Sequence, residues 1–169
     1  QHELRTEIVT VGPRAVISYD LQGVELWRMH RMATTAIQSP FVWGGHLFVT
    51  TGASGEDARP IASIRPGASG NITPEAPADQ SEYVVWYNRI AGGTYLPTPI
   101  IYAGALYVLT SRGIFARHDV ETGERLYRAR VAPGASAFTT TPWAYNGKIF
   151  AMGEEGHTYV IEAGPEYRL

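Results

Sequence analysis

The stretch TPIIYAGALYV, beginning at Thr98, is written again as TPWAYNGKIFA from Thr141 and as SPFVWGGHLFV from Ser39. Self-similarity at a fixed period constrains a fold more than any local propensity, because each copy must be one supersecondary unit that buries its face on the next. Pro40, Pro99 and Pro142 head the copies, and a glycine follows five residues later each time: Gly45, Gly104 and Gly147. The last two prolines are 43 residues apart and the first two are 59 apart, so the second unit carries 16 extra residues.

The later copies stay in step beyond their openings. Gly113 and Gly156 each lie 14 residues after their proline, and Asp119 and Glu162 each lie 20 after. Upstream, YDLQGVELW matches HDVETGERLY: Asp20 answers Asp119, Gly23 answers Gly123, and Trp27 answers Tyr127. Counting back from Asp20 puts the first unit's proline just outside the chain. The four units are thus expected at about 1–39, 40–98, 99–141 and 142–169.

Each unit reads as strands. In IIYAGALYVLT, apolar β-branched and aromatic residues are broken by Ala-Gly, a hairpin signal. In the strand after Asp119, Leu126, Arg128 and Arg130 alternate with Tyr127, Ala129 and Val131, which predicts one buried and one wetted face. Gly123 suits a turn position with φ above zero. No helical period persists beyond a turn. Four short strands per unit of roughly 40–45 residues predict an all-β chain, a β-propeller of four-stranded antiparallel blades with about four blades present. A β-sandwich with coincidental spacing is the alternative.

With 18 charged residues in every hundred, 44% hydrophobic residues and a net charge of −2, the composition is globular. It offers no electrostatic case for nucleic acid or an anionic membrane. No apolar run is long enough to span a bilayer. Gln1 reads as a processed or truncated end. With no cysteine, disulfides and thiolate metal sites are excluded.

The Asp-x-x-Thr-Gly-Glu-x-x-aromatic turn, Asp119 to Tyr127, resembles the tryptophan-docking motif of the PQQ-binding-like, quinoprotein-type β-propeller repeats. SPFVWGGHLFVTTG, IASIRPGASGNIT and EEGHTYVIEAGPEYRL resemble stretches of uncharacterised bacterial members. The resemblance covers nearly the whole chain. It implies that Trp27 and Tyr127 pack between neighbouring blades, with Asp20, Gly23, Asp119 and Gly123 forming the docking turns. It implies a periplasmic or extracellular place. The pattern departs at Ser18 and Arg117, where the family often has Ala, and at Tyr127, where Trp is usual; the fourth unit stops before its aromatic. The family includes quinone-dependent alcohol dehydrogenases, an outer-membrane assembly scaffold lipoprotein and members without known cofactor, so fold alone does not name a function.

The dehydrogenases hold the quinone beneath a vicinal disulfide and bind Ca²⁺ through Glu and Asn. This chain has no cysteine and no Asp-x-Asp loop. Glu154-Glu155 reads as a solvated hairpin tip. Gly-Ala-Ser occurs at Gly52, Gly67 and Gly134, but positions 56, 71 and 138 hold Glu56, Asn71 and Phe138 where a nucleophile elbow needs glycine. The five histidines have no metal-ligand spacing, and His118 and His157 are expected to face solvent on third strands. Asn71-Ile72-Thr73 is read as a turn.

The candidate ligand surface lies in the loops that enter each blade: 32–39, 91–98 and 134–141. They are rich in Thr, Ser, Gly and aromatics with almost no charge. Gln38, Thr94, Thr139 and Thr140 could hydrogen-bond a neutral polar ligand, with Tyr95 or Phe138 stacking on it; the alternative is a set of packed, mutually satisfied crossings. The inserted residues of the second unit predict long loops at 51–60 and 65–80, the latter a surface segment on the opposite face. The expected function is a non-catalytic binding or scaffold module for a protein or glycan, without cofactor or metal. The alternative is a fragment of a PQQ-dependent quinoprotein alcohol or sugar dehydrogenase, with PQQ and Ca²⁺. The chain is expected to be half, or a fragment, of a seven- or eight-blade ring, paired as a homodimer or with the remainder of its parent propeller.

Overall fold

The computed structural model describes residues 5–53, 55, 56, 58–75, 81–90 and 93–169. They form two compact units, 1–93 and 94–169, each holding two β-sheets. Among the described residues there is no helix.

In the first unit, β1 (Ile8–Gly12), β2 (Ala15–Tyr19) and β3 (Glu25–His30) form an antiparallel meander. A second meander follows: β4 (Phe41–Trp43), β5 (His46–Thr50) and β6 (Ile61–Ile64). Before its fourth strand, β8 (Val84–Asn88), the chain makes a detour. Gly70–Asn71 (β7) pairs in parallel with β3, so the first sheet runs β1-β2-β3-β7 and the second β4-β5-β6-β8.

This corrects two expectations. Segment 65–80 was read as a plain surface loop and every blade as antiparallel. Instead Ala68 and Ile72 are buried in the unit's core, Ile72 N–H donates to the Arg28 carbonyl at 2.9 Å, and His30 N–H donates to Thr73 Oγ1 at 2.9 Å. The outer edge of β3 offered unpaired backbone groups, and two apolar anchors spaced four apart are enough to seat the segment there. Asn71 Oδ1 accepts from Thr73 N–H, so an Asx turn follows β7. The aspartate-based match makes β1, β2 and β3 the second, third and fourth strands of a blade; of Gln1–Arg5, which the sequence offers as the only candidates for its inner strand, all but Arg5 lie outside the described residues.

The second unit has the regular sheet β9 (Ile100–Tyr102), β10 (Ala105–Leu109), β11 (Ile114–Asp119) and β12 (Arg125–Arg130). After it come three strands, β13 (Trp143–Tyr145), β14 (Lys148–Met152) and β15 (Thr158–Glu162). The repeated prolines each stand immediately before a first strand, and the repeated glycines sit in the first hairpin turns, with Gly45, Gly104 and Gly147 at φ of 79°, 74° and 75°. β12 alternates half-buried and exposed side chains as its sequence predicts, whereas all five residues of β10 are buried. A strand covered on both faces needs no polar alternation.

Each unit has its own core. The first packs Val16, Trp27, Met29, Val49, Ile64 and Val84 together, joining its two sheets. The second packs Tyr107, Leu109 and Phe115 of one sheet against Ile149, Ala151 and Ile161 of the other.

Candidate functional site

The two docking turns join β2 to β3 and β11 to β12. Asp20 Oδ1 accepts the N–H groups of Gln22 and Val24 at 2.9 and 2.8 Å, and Asp119 Oδ1 accepts those of Glu121 and Thr122 at 2.9 and 2.8 Å. Those bonds, the Thr122 N–H first, hold the Asp119 carboxyl below its usual range. Gly23 and Gly123 take φ of 84° and 72°, closing both turns. Trp27 is 2% exposed and lies in the core between the first unit's two sheets. Its indole N–H donates to Glu7 at 2.7 Å, and the same carboxylate accepts from Ser18 Oγ at 2.6 Å and Arg5 Nε at 2.8 Å. Tyr127 is half-buried, its ring centroid 6.4 Å from Phe115 and 6.3 Å from Tyr167. Its hydroxyl is buried without a hydrogen bond among the described residues.

The entering loops are tightly packed in both units. In the first, Ala33 N–H donates to Thr51 Oγ1 at 2.7 Å, Gly52 N–H donates to the Thr35 carbonyl at 3.2 Å, and Gln38 is buried. In the second, Thr94 is buried with its hydroxyl on the Pro97 carbonyl, Thr98 N–H donates to Thr141 Oγ1 at 3.1 Å, and Thr140 Oγ1 donates to the Met152 carbonyl at 3.1 Å. Phe138 differs most from its expected stacking role. It is 0% exposed, its ring 5.7 Å from Tyr159, and its N–H donates to the Ser111 carbonyl at 3.0 Å. A phenyl ring next to β-branched and aromatic residues gains more from the core than from water, so the loop turns it inward. Thr139 is exposed, and Tyr95 and Thr140 are half-exposed.

His118 was expected to face solvent and is instead 0% exposed. Burial pushes its imidazole pKa down, and a neutral ring donates from Nδ1 to the Gly123 carbonyl at 3.1 Å, bracing the docking turn. A strand pattern alone cannot tell one covered face from two. His157 is exposed, as read. Ser69 and Ser136 are the described serines of the Gly-Ala-Ser triplets; Ser54 lies outside the described residues. Among the described residues no three His, Asp or Glu side chains gather as a metal site.

Two features were not read from sequence. The first is a cavity of about 390 Å³ in the first unit, lined by Arg31, Met32, Ala58, Tyr87 and Arg89. Arg31 follows β3 directly and Arg89 follows β8 directly. The loops were cut just beyond these arginines, and equivalence of the two strand ends was the signal that could have found them.

The second is an open sheet face in the second unit. One side of β13–β15 (Ala144, Ile149, Ala151, Tyr159, Ile161) packs into the core. The other carries Trp143 at 54% and Tyr145 at 71% exposure, with Met152 and Val160 also exposed. Trp143 stacks on Phe150 at 3.9 Å between centroids, 6° from parallel. Lys148 and Glu162 face one another across this side. In the preceding sheet the equivalent side is covered: Tyr107 is 1% exposed, and Tyr102, at the position Tyr145 occupies one repeat later, accepts the Gly147 N–H on its hydroxyl at 2.8 Å.

No family model matches the chain, and no curated protein matches it. Solved structures do. BamB from Moraxella catarrhalis matches at a TM-score of 0.60 and 16% identity, over 93% of this chain and 42% of that one. A europium-containing methanol dehydrogenase matches at a TM-score of 0.50 and 16% identity, over 73% of this chain and 22% of that one. The chain thus spans less than half the length of either. At that identity the likeness bears on architecture alone: the chain is all-β, and its four sheets are blades of a β-propeller fold.

Proposed function

We propose that the chain is a non-catalytic β-propeller binding module that grips a protein partner, at a periplasmic or extracellular place. One observation carries this reading: the Trp143, Tyr145, Met152 and Val160 face of β13–β15 is open, while the same repeat positions one sheet earlier are covered by a sheet. Clustered exposed apolar side chains with a polar rim mark interaction sites. The covered example states the chemistry of the occupant. It is a protein sheet with small aliphatic side chains on its face and a free backbone N–H for the Tyr145 hydroxyl. A second copy of this chain is the simplest probe of such a surface. Size-exclusion chromatography with light scattering on the purified chain, 18.5 kDa, and on Trp143→Glu/Tyr145→Ser tests it. Self-association that rises with concentration and disappears in the variant supports the reading. A stable monomer indifferent to both substitutions would falsify it, and saturable glycan binding through Trp143 would replace the protein partner with a glycan.

The methanol dehydrogenase likeness favours a second reading, a segment of a quinone-dependent dehydrogenase. Titration of PQQ with Ca²⁺ separates the two. Stoichiometric absorbance changes with dye-linked alcohol oxidation would displace the binding-module reading.

A further inference from the structure

We propose that the cleft between Arg31 and Arg89 receives a carboxylate side chain of an acidic peptide segment. The inference deepens the binding-module reading by adding a second contact, chemically distinct from the open face of β13–β15, and it rests on that reading for the partner's being a protein.

The floor of the cleft is Tyr87, Met32 and Ala58, and its rim is the two exposed arginines. Tyr87 and Met32 are almost fully buried, so the floor is held by the core and not by the ligand. Arg31 is a non-glycine residue at φ 66°, a left-handed conformation that L-residues other than glycine adopt at a cost. It is held there from below, because the Tyr87 hydroxyl donates to the Arg31 carbonyl at 2.7 Å. Its Nη1 donates to the Glu75 carbonyl, which takes one N–H at the edge of the guanidinium; the remaining N–H groups make no hydrogen bond among the described residues. Strain maintained by a buried tether is found where a side chain must be aimed.

Arg89 is positioned by its backbone, whose carbonyl accepts the Arg59 N–H at 2.9 Å. Its guanidinium makes no hydrogen bond or ion pair among the described residues. Both cations bear on the Tyr87 phenol: burial pushes its pKa up, and Arg89 and Arg31 pull it part of the way back. The Glu56 carboxylate accepts the Thr34 N–H at 3.2 Å and the Thr34 hydroxyl, and it is not ion-paired with either arginine among the described residues.

Two guanidinium forks over an aromatic and thioether floor suit a planar anion on a short apolar stem. Glutamate and aspartate carboxylates meet that description. The cavity volume of about 390 Å³ lies at the small end of ligand sites and is ample for a carboxylate side chain. Arginine also outperforms lysine here because its planar fork can donate to both carboxylate oxygens at once.

Fluorescence anisotropy with labelled hexaglutamate and identically labelled hexaglutamine tests the proposal on the full chain. Hexaglutamate should bind saturably and hexaglutamine should not. Arg89→Ala should weaken binding about tenfold, and Arg89→Lys by an intermediate factor, because charge is kept and the fork lost. Arg112→Ala, an exposed arginine of the other unit, should change nothing. Arg89 is exposed and its backbone bond survives substitution, so the variants should melt with the wild type. Binding that is insensitive to Arg89→Ala, or equally sensitive to Arg112→Ala, overturns the cleft. Inorganic phosphate binding as tightly and with the same Arg89 dependence overturns the peptide in favour of a small-anion site. If the light-scattering test succeeds while hexaglutamate fails, only this inference is lost.

Discussion

Trp27 and Tyr127 occupy the same position in two repeats, yet their polar ends meet opposite conditions. The Trp27 indole N–H is one of three donors converging on Glu7, while the Tyr127 hydroxyl is buried with no partner among the described residues. Tyr127 is held instead by aromatic neighbours, Phe115 and Tyr167, and Tyr167 itself donates to the Val131 carbonyl at 2.5 Å. The docking position therefore asks for a broad apolar side chain. What its polar tip does is decided locally, by a carboxylate that happens to stand in β1's approach or by a tyrosine returning after β15.

The largest expected effect is Trp27→Ala. Emptying a fully buried indole site should cost about 3–5 kcal/mol in urea unfolding, and Tyr127→Ala, half-buried, distinctly less. Equal losses, or an unchanged midpoint for Trp27→Ala, would erase the contrast. Next is Glu7→Ala, which strands the Trp27 N–H and Ser18 hydroxyl and should cost about 1–3 kcal/mol. An effect near zero would mean that water replaces the carboxylate.

Acid sharpens the comparison further. Burial raises the Glu7 pKa, but bonds from Ser18, Arg5 and Trp27 outweigh it and hold the carboxyl below its usual value of 4.5. A depressed folded pKa adds stability above 4.5 that is lost as pH falls through the folded value. The wild type should thus lose more stability between pH 5 and about pH 3 than Glu7→Gln, read from paired urea melts. Parallel pH profiles would remove the carboxylate from the account. The smallest effect belongs to Tyr127→Phe: deleting an unpaired buried hydroxyl should change stability by about 0.5 kcal/mol or less, or raise it. Burial, with a smaller push from Tyr107, moves the Tyr127 phenol up to about 12. A raised folded pKa gives stability that declines as pH rises from the ordinary tyrosine value toward 12, and that alkaline decline should shrink in Tyr127→Phe. A loss above 1 kcal/mol would reveal a partner for the hydroxyl.

The repeat made most of the fold legible. Pro-to-Gly offsets located the hairpins, and Asp20 and Asp119, read as docking-turn residues, accept the N–H groups of their turns. What was illegible depended on long-range placement. Gly70-Asn71 has no periodic signal, and its pairing is set by the free edge of β3. His118 lies on a face whose covering no local pattern encodes. Tyr167 belongs to a stretch that reads as ending short of its aromatic, yet it fills the cluster around Tyr127. Of the candidate site, the loops were legible as segments, but Phe138 turned inward, and Arg31 and Arg89 are brought together by two strand ends nearly sixty residues apart.

β7 has a consequence for how the chain acquires its structure. In a simple array each repeat can add to the one before, and folding can start anywhere and spread. Here the first sheet's last strand comes from within the second repeat, where Trp27 lies opposite Gly70. The first blade cannot be finished until the chain has passed through β6, so its closure waits on a loop of more than forty residues, an entropic delay of the kind that slows folding. During synthesis, the outer edge of β3 stays uncovered until that segment emerges. The first two blades are then expected to form, and to come apart, as one cooperative step.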